Sequence, residues 1–412
     1  MKTLIRNVGQ IVTMDGVEKK AGIGITRDDL GVIENGEVLI DGDTIIGVGE
    51  AGTFDSESAT ATINADGGVL MPALVDPHTH AIFVGNRHNE FEMRSEGASY
   101  LEIAEAGGGI VASTKAVQLA SVEELTKIGV ERLSIMAGFG IGVVEIKSGY
   151  GLTTESEIKM LEAAAAVAEQ QSLKVVPTFM GAHALPRTYR DHPDKYVDIV
   201  IEKMLPEVAE RKLARFCDVF AEKGFFTIEQ SRKILLAAKE LGLELKIHAD
   251  EFVPLGGAQL AAELGAVSAD HLLAVDDDGI TALAKAGVTA VLLPGTSLYL
   301  GEGHYAPARK LIDSGVRVAL ATDLNPGSCY TENLPLIMTL ACTNLKMTVA
   351  ETLAAVTYNA ARALLIEDRY GSITPGRSST LALHKVDHYA QIPYHMAVTD
   401  LDTLLVDGQR VN

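Results

Sequence analysis

The sequence predicts an α/β protein: a (β/α)8 TIM barrel with a small β-sandwich domain built from both termini. Three observations support this fold class. Eight short apolar segments alternate with helical patterns through the middle of the chain, whereas both ends carry strand-like runs and turn signals. Polar residues follow most of the eight apolar segments. Eight repeated strand–helix units favour a closed barrel over an open sheet.

Length and composition fit this fold and restrict the partners. The chain has 412 residues, 47% of them hydrophobic, which is enough for a barrel of about 250 residues and a smaller domain. The net charge is −20, and no run is rich in lysine or arginine. We therefore expect a small-molecule substrate, and neither nucleic acid nor a membrane as partner.

The sequence also favours a cytoplasmic location. The first residues lack the continuous apolar core of a secretory signal, and no apolar run has the length of a membrane span. The three cysteines, Cys217, Cys329 and Cys342, are irregularly spaced. They predict neither a disulfide framework nor a metal knuckle, as expected for a reduced compartment.

Residues 1–68 and 370–412 are predicted to form one composite β domain. Asp41-Gly42-Asp43 is typical of a hairpin turn, and neither end alone is long enough for a sheet with its own core. We therefore expect the two ends to pair. The predicted strand segments are Leu4–Met14, Gly36–Ile40, Thr44–Val48, Gly371–Thr374, Thr380–Leu383 and Asp400–Gln409, the last of which contains an Asp-Gly turn.

Residues 69–369 are predicted to form the barrel. Its strands are apolar on both faces, as parallel strands covered on both sides are. After the second strand, Thr154 and Glu157 have the spacing of a capping box that begins a helix. The predicted barrel strands are Val69–Val75, Ile141–Lys147, Leu173–Phe179, Ala214–Phe220, Leu243–His248, Ala266–His271, Val288–Leu293 and Val316–Thr322.

Four residues at the carboxyl ends of these strands predict a metal site. His78 and His80 follow the first strand, and residues i and i+2 of an extended segment point to the same side. His248 ends the fifth strand and Asp323 follows the eighth. Chemistry in such barrels takes place at this end. Three imidazoles and one carboxylate suit zinc or iron and leave room for water.

Two further residues are candidates for proton transfer near that site. Glu251 lies three residues beyond His248, where it can carry a proton, and His271 ends the sixth strand, where it can orient a water molecule or stabilise an oxyanion. Asp323 is the alternative first proton acceptor. Each residue alone has a structural explanation. A histidine can be hydrogen-bonded packing, Asp323 can cap a helix, and Glu251 and Asp270 can be solvated.

These residues in this order resemble the amidohydrolase superfamily. Glu251 matches the glutamate of members with one metal. Neither Lys147 nor Lys174 is placed where two-metal members carry a bridging carboxylated lysine. The segments GNRHNEFEMR, EAGGGI, KSGYGL and TDLNPGS narrow the resemblance. They are similar to the branch that hydrolyses the cyclic amide 4-imidazolone-5-propanoate to N-formimidoyl-L-glutamate in histidine degradation.

The resemblance implies one divalent metal, Zn2+ or Fe2+/Fe3+, a cytoplasmic homodimer, and a set of substrate contacts. Arg87 would bind the propionate carboxylate, and Tyr150 and His183 would contact the ring or the carboxylate. Glu251 would deliver a proton to the departing ring nitrogen. Ser328 stands where many members have threonine, and it keeps the hydroxyl. The residues implied to contact the opened product are Asn325, Gly327 and Ser328.

Alternatives remain at the level of the sequence. Arg87 can be a surface ion pair, and Gly107-Gly108-Gly109 can be a flexible turn. Another mononuclear amidohydrolase, such as a purine or pyrimidine deaminase, would use the same ligands but needs no carboxylate clamp. A non-catalytic scaffold should have lost ligands, whereas every expected ligand is present here.

Overall fold

The computed structural model describes residues 2–55, 59–98, 102, 108–301 and 303–411. The described residues form two sheets of eight strands each, one a parallel barrel and the other built from both ends of the chain. The predicted fold class is confirmed. None of the helices in the described part of the chain combines the length and apolar character needed to cross a membrane.

The terminal sheet joins the two ends of the chain through one strand, β5 (Val69–Pro72). This strand pairs in parallel with β1 and antiparallel with β14. The hydrogen-bonded order is continuous, β16-β15-β14-β5-β1-β2-β3, with β4 also on β1. Both halves share one buried apolar cluster. The strands are β1 Lys2–Val12, β2 Val32–Asp41, β3 Thr44–Glu50, β4 Ala61–Asn64, β5 Val69–Pro72, β14 Leu381–His384, β15 Leu401–Val406 and β16 Gln409–Arg410.

The barrel strands follow one another in chain order, β6 to β13. Beyond their carboxyl ends the first and last strands meet: the Asp323 N–H donates to the His78 carbonyl (3.1 Å) and the His80 N–H to the Leu324 carbonyl (2.9 Å). This closure brings both histidines beside Asp323. The strands are β6 Leu74–Asp76, β7 Ile141–Lys147, β8 Lys174–Ala182, β9 Phe216–Ala221, β10 Glu244–Ala249, β11 Ser268–His271, β12 Thr289–Leu292 and β13 Val318–Leu320.

Two of the predicted strands are wrong. Val69–Val75 is not one strand, because the chain changes sheets at Ala73: the Ala73 N–H donates to Thr380 and the Leu74 N–H to Gly140. The terminal sheet thus extends to Pro72, past the predicted boundary at residue 68. Gly371–Thr374 forms no strand, since Gly371 has a left-handed φ of 91°.

The predicted capping box is also wrong. The helix Thr154–Gln170 is capped by Thr153, whose hydroxyl accepts the Ser156 N–H at 3.2 Å. Glu157 faces the barrel instead. The α-helices with described bounds are Asp15–Lys19, His88–Ser95, Ile110–Leu119, Val122–Gly138, Thr154–Gln170, Pro193–Ile199, Leu205–Glu210, Ile228–Glu240, Gly257–Leu264, Asp277–Ala286, Pro294–Leu300, Ala308–Asp313, Leu334–Thr343, Val349–Ala355, Tyr358–Arg362 and Gln391–Tyr394.

Candidate metal centre and active site

The structure brings the four predicted metal ligands together at the carboxyl face of the barrel. His78 belongs to two groups of three residues whose ligand atoms lie within 4.8 Å of one another, one with His80 and Asp323 and the other with His248 and His271. Asp323 Oδ1 lies 3.4 Å from His78 Nε2 and 3.8 Å from His80 Nε2. All five side chains are buried.

The donor atoms of this cluster fit a divalent ion. His78 Nε2, which lies 3.4 Å from Asp323 Oδ1, and His248 Nε2 are buried and have no hydrogen-bond partner among the described residues. Such atoms are rare in folded proteins and call for an explanation. Burial lowers the pKa of His78 and His80 well below the usual value, so both rings are neutral. Zinc and iron bind imidazole in that neutral form.

Two carboxylates behind the cluster orient its rings. His78 Nδ1 donates to Asp270 Oδ2 at 2.6 Å, and His248 Nδ1 lies 3.0 Å from Asp218 Oδ2. A carboxylate on one ring nitrogen fixes the tautomer and leaves the other nitrogen for the ion. Neither aspartate was predicted from the sequence to orient a ligand ring. The only signal for Asp218 is its position as a charged residue inside an apolar strand.

The backbone is left-handed at three strand ends in this region. Asp250, His271 and Asp323 have φ values of 50°, 76° and 52°. Left-handed backbone is uncommon outside glycine and concentrates at functional sites, where the surrounding structure imposes it. Asp250 directly follows β10, His271 is the last residue of β11, and Asp323 lies three residues beyond β13.

The structural explanations considered for the acidic residues do not hold: Asp323 does not cap a helix, and Glu251 and Asp270 are not exposed to solvent. Asp323 accepts the Thr296 hydroxyl at 3.0 Å, and no helix begins after it until Leu334. Burial raises the pKa of Asp323 to about 6. Glu251 and Asp270 are buried, and Glu251 Oε1 lies 3.5 Å from His271 Nδ1. These carboxylates therefore lie inside the candidate site.

The loop that carries Glu251 is fixed on both sides. Asp250 accepts the backbone N–H groups of residues 255–258 at 2.9–3.0 Å, at the start of the helix Gly257–Leu264. Glu222 accepts the Phe252 N–H at 2.9 Å. Sequence reasoning missed both supports, because their partners are backbone groups that leave no pattern.

The predicted ring contacts lie against the cluster. The His183 ring is stacked on His80 at 4.8 Å, and the Tyr150 ring meets both edge-on. His183 Nδ1 lies 3.0 Å from the Gly149 carbonyl, which can only accept, so Nδ1 carries the hydrogen and Nε2 the lone pair. Burial lowers the pKa of His183 to about 3, which keeps the ring neutral.

A buried glutamate sets the shape of the KSGYGL loop. Glu157 accepts the N–H groups of Gly149, Gly151 and Leu152 at 2.7–2.8 Å. The loop is thereby fixed on both sides of Tyr150. Glu157 was predicted from the sequence to cap a helix, so its contact with this loop was not predicted.

Arg87 is not a surface ion pair. Its side chain is 12% exposed, and its Nε and Nη2 donate to the two oxygens of Glu90 at 2.7 and 2.5 Å. Glu90 Oε1 also accepts the Gly109 N–H at 3.0 Å. A side chain at Gly327 would collide with Arg87 Nη1, so the guanidinium lies directly against the 325–328 turn.

Asn325 supports that turn from within. Its Oδ1 accepts the N–H groups of Gly327 and Ser328 at 2.8 Å each, and its Nδ2 donates to the Ser328 hydroxyl at 2.8 Å. The side chain thus holds Gly327 and Ser328 in place. Residues 105–107 of the EAGGGI segment, including Gly107, lie outside the described residues.

Known proteins resemble this chain over its whole length. The model of the amidohydrolase family matches residues 69–411. Imidazolonepropionases from Alkaliphilus oremlandii and Alkaliphilus metalliredigens are 45% and 46% identical to it, covering 99% of this chain and 97% of each relative. The crystal structure of an adenosine deaminase from Xanthomonas campestris with bound zinc has the same fold. Its TM-score is 0.72 at 19% identity, covering 99% of this chain and 92% of that one.

Proposed function

This chain belongs to the amidohydrolase family and, within it, to the imidazolonepropionases, and we propose that it hydrolyses 4-imidazolone-5-propanoate to N-formimidoyl-L-glutamate. The observation that carries the proposal is a partly buried arginine, Arg87, beside the buried cluster of candidate metal ligands. Arg87 packs against the turn that follows Asp323, and the Tyr150 ring meets the rings of His80 and His183 edge-on at the same cluster. The substrate has a carboxylate, which matches the arginine, and a ring amide, which matches the metal cluster.

The substrate is oriented by groups of complementary hydrogen-bonding type. Arg87 binds the propionate carboxylate, for which a guanidinium fork is suited. Tyr150 has a pKa raised by burial, so its hydroxyl stays protonated and can donate. His183 offers a lone pair at Nε2 and therefore contacts a ring N–H rather than the carboxylate. A neutral purine or pyrimidine has no carboxylate for Arg87 to bind, which argues against a deaminase.

His78, His80, His248 and Asp323 would hold the ion, Zn2+ or Fe2+/Fe3+. When bound, such an ion lowers the pKa of a water molecule toward neutrality and polarises the amide carbonyl. The family is metal-dependent, and the histidine and aspartate groups of this chain are candidate ligands. Which metal is used belongs to the proposal.

Protons are carried by the chain's own residues. Water adds its oxygen to the ring carbonyl carbon, and one of its protons passes to Glu251 or Asp323. Glu251 then delivers a proton to the ring nitrogen as the C–N bond breaks, and the carbonyl carbon becomes the new carboxylate. His271, next to Glu251, is neutral because burial lowers its pKa, so it can donate a hydrogen bond to the oxyanion.

We also propose a cytoplasmic homodimer. The location is supported by Cys217, Cys329 and Cys342, all of which are described and none of which is in a disulfide. The dimer is supported by the resemblance alone. Light scattering on the purified protein should give twice the chain mass of 43.8 kDa, and a monomer would refute the dimer without affecting the proposed reaction.

The substrate assignment is tested with two compounds and two variants. The wild type should turn over 4-imidazolone-5-propanoate far better than its propionamide analogue, which lacks the charge. Arg87→Gln should abolish most of that preference by raising KM for the carboxylate alone, and Arg190→Gln, an exposed arginine, should retain it. Equal KM values for the two compounds with the wild type would overturn the assignment.

A further inference from the structure

A buried lysine lies behind the proposed metal centre. Lys147 ends β7, and its side chain has no exposed surface. Its Nζ lies 2.8 Å from Asp218, 3.0 Å from Glu145 and 3.6 Å from Asp270. Burial alone would lower the pKa of Lys147, but the three carboxylates outweigh it and raise the pKa, so the group is charged. A buried charge is costly unless it is paired.

Two of these carboxylates are the ones that orient the proposed ligands. Asp218 lies beside His248 Nδ1 at 3.0 Å, and Asp270 accepts from His78 Nδ1 at 2.6 Å. One ammonium group therefore connects the supports of two ligand rings that come from different strands, β6 and β10. Among the described residues, no hydrogen bond joins Lys147 to either ring. Its effect on the rings is therefore indirect.

The two aspartates need a cation between them. Asp218, Asp270 and His248 bring ligand atoms within 4.8 Å of one another. Two carboxylates this close and this buried repel each other, and the Lys147 ammonium group, which lies 2.8 Å from Asp218 and 3.6 Å from Asp270, offsets that repulsion. Without the ammonium group the two side chains would move apart, and they would no longer fix the directions of the His78 and His248 rings.

A second buried lysine provides a matched comparison. Lys246 Nζ lies 3.0 Å from Glu145 Oε1 and donates to the Pro77 carbonyl at 3.1 Å, and its side chain is as buried as that of Lys147. Among the described residues it forms an ion pair with Glu145, not with either aspartate that contacts a ligand ring. Replacing Lys246 removes a buried charge of the same kind without removing the proposed support.

We propose that Lys147 is a positioning residue of the metal centre: its ammonium group holds Asp218 and Asp270 in place and, through them, the rings of His78 and His248. The inference rests on the proposed function for the identity of the ligands. It assigns Lys147 no contact with substrate. Replacing Lys147 should therefore act mainly by weakening metal binding, rather than by slowing a chemical step of the metal-loaded protein.

Zinc affinity, measured without substrate, tests this role. Metal-free wild type, Lys147→Met and Lys246→Met are titrated with Zn2+ against a chelator of known affinity, and the thermal unfolding of each is recorded with and without zinc. Lys147→Met should bind zinc roughly 10–100-fold more weakly, the usual loss for a support of a metal ligand. It should also gain less stability from zinc. Lys246→Met should lose clearly less affinity, because Lys246 forms its ion pair with Glu145 and not with Asp218 or Asp270.

Two results would overturn the proposal: a wild-type zinc affinity in Lys147→Met, or equal losses in both lysine variants. If Lys147→Met does not fold, Lys147→Met/Asp270→Asn is compared with Asp270→Asn. The double variant should still bind zinc at least about tenfold more weakly, because Asp218 has lost its cation, and equal affinities would refute the role. Since no substrate is used, a failure of the proposed reaction leaves this result unaffected.

Discussion

Arg87 is held by both carboxylate oxygens of Glu90, at 2.7 and 2.5 Å, in a partly buried, two-pronged ion pair. Glu90 has a second contact, since it also accepts the Gly109 N–H at 3.0 Å. The arginine proposed to bind the substrate carboxylate is thus fixed in direction, and its support is shared with the start of the helix Ile110–Leu119.

Replacing Glu90 should therefore weaken substrate binding more than it slows the chemical step. Hydrogen bonds to charged groups contribute about 1.5–3 kcal/mol, so Glu90→Gln should raise KM by about tenfold or more with a smaller change in kcat. Steady-state kinetics would show the split. Glu92→Gln, an exposed residue on the same helix, is the control, and a wild-type KM in Glu90→Gln would contradict the arrangement.

Glu251→Gln should slow the chemical step while the metal stays bound. Loss of a proton-transfer group commonly costs about 10²–10⁴-fold in rate, so kcat should fall in that range with unchanged zinc content. Glu244→Gln, an exposed residue at the start of β10, should behave as wild type. Near-normal turnover by metal-loaded Glu251→Gln would remove Glu251 from the mechanism.

Zinc uptake by the metal-free protein should depend on pH below about pH 6, because burial raises the pKa of Asp323 to about 6. A raised carboxyl pKa means that the group is protonated below that pH, and a metal must then displace the proton. We expect affinity to fall about tenfold per pH unit below 6. Asp323→Asn should bind zinc more weakly, and its zinc affinity should not show this dependence on pH. A wild-type zinc affinity that does not change between pH 5 and 6 would contradict the prediction.

Gly149→Ala should disturb the ring-binding side of the site. Gly149 has a φ of 114°, and an added Cβ would lie 2.8 Å from His183 Nδ1. Left-handed backbone of this kind costs a side-chain-bearing residue about 1–3 kcal/mol, so the unfolding free energy should fall by that amount and KM should rise. Gly138→Ala has open space around its Cβ and should change neither quantity; an unaltered KM in Gly149→Ala would count against the placement of His183.

The sequence was sufficient to predict the fold class and which residues cluster, for a physical reason. Parallel strands buried on both faces leave continuous apolar runs, and side chains just beyond their carboxyl ends must meet at one face. That reasoning located His78, His80, His248 and Asp323, which the structure brings together. Their roles as ligands stay predictions until metal binding is measured.

The supports of these residues were not predictable from sequence. Asp218 and His248 are distant in the chain and meet only after β9 and β10 pair. Glu157 accepts backbone N–H groups, which every residue except proline has. The run Val69–Val75 could not be divided, because β5 and β6 are both fully buried and apolarity alone does not show in which sheet a strand lies.

The most direct test of the proposed reaction is turnover of freshly generated 4-imidazolone-5-propanoate, with metal content determined on the same sample. We expect N-formimidoyl-L-glutamate as product and about one Zn2+ or iron ion per chain, the count that one set of His3Asp ligands can hold. Activity should disappear on chelation and return with added metal. Turnover that persists after the metal is removed, or a metal-loaded protein without turnover, would contradict the account.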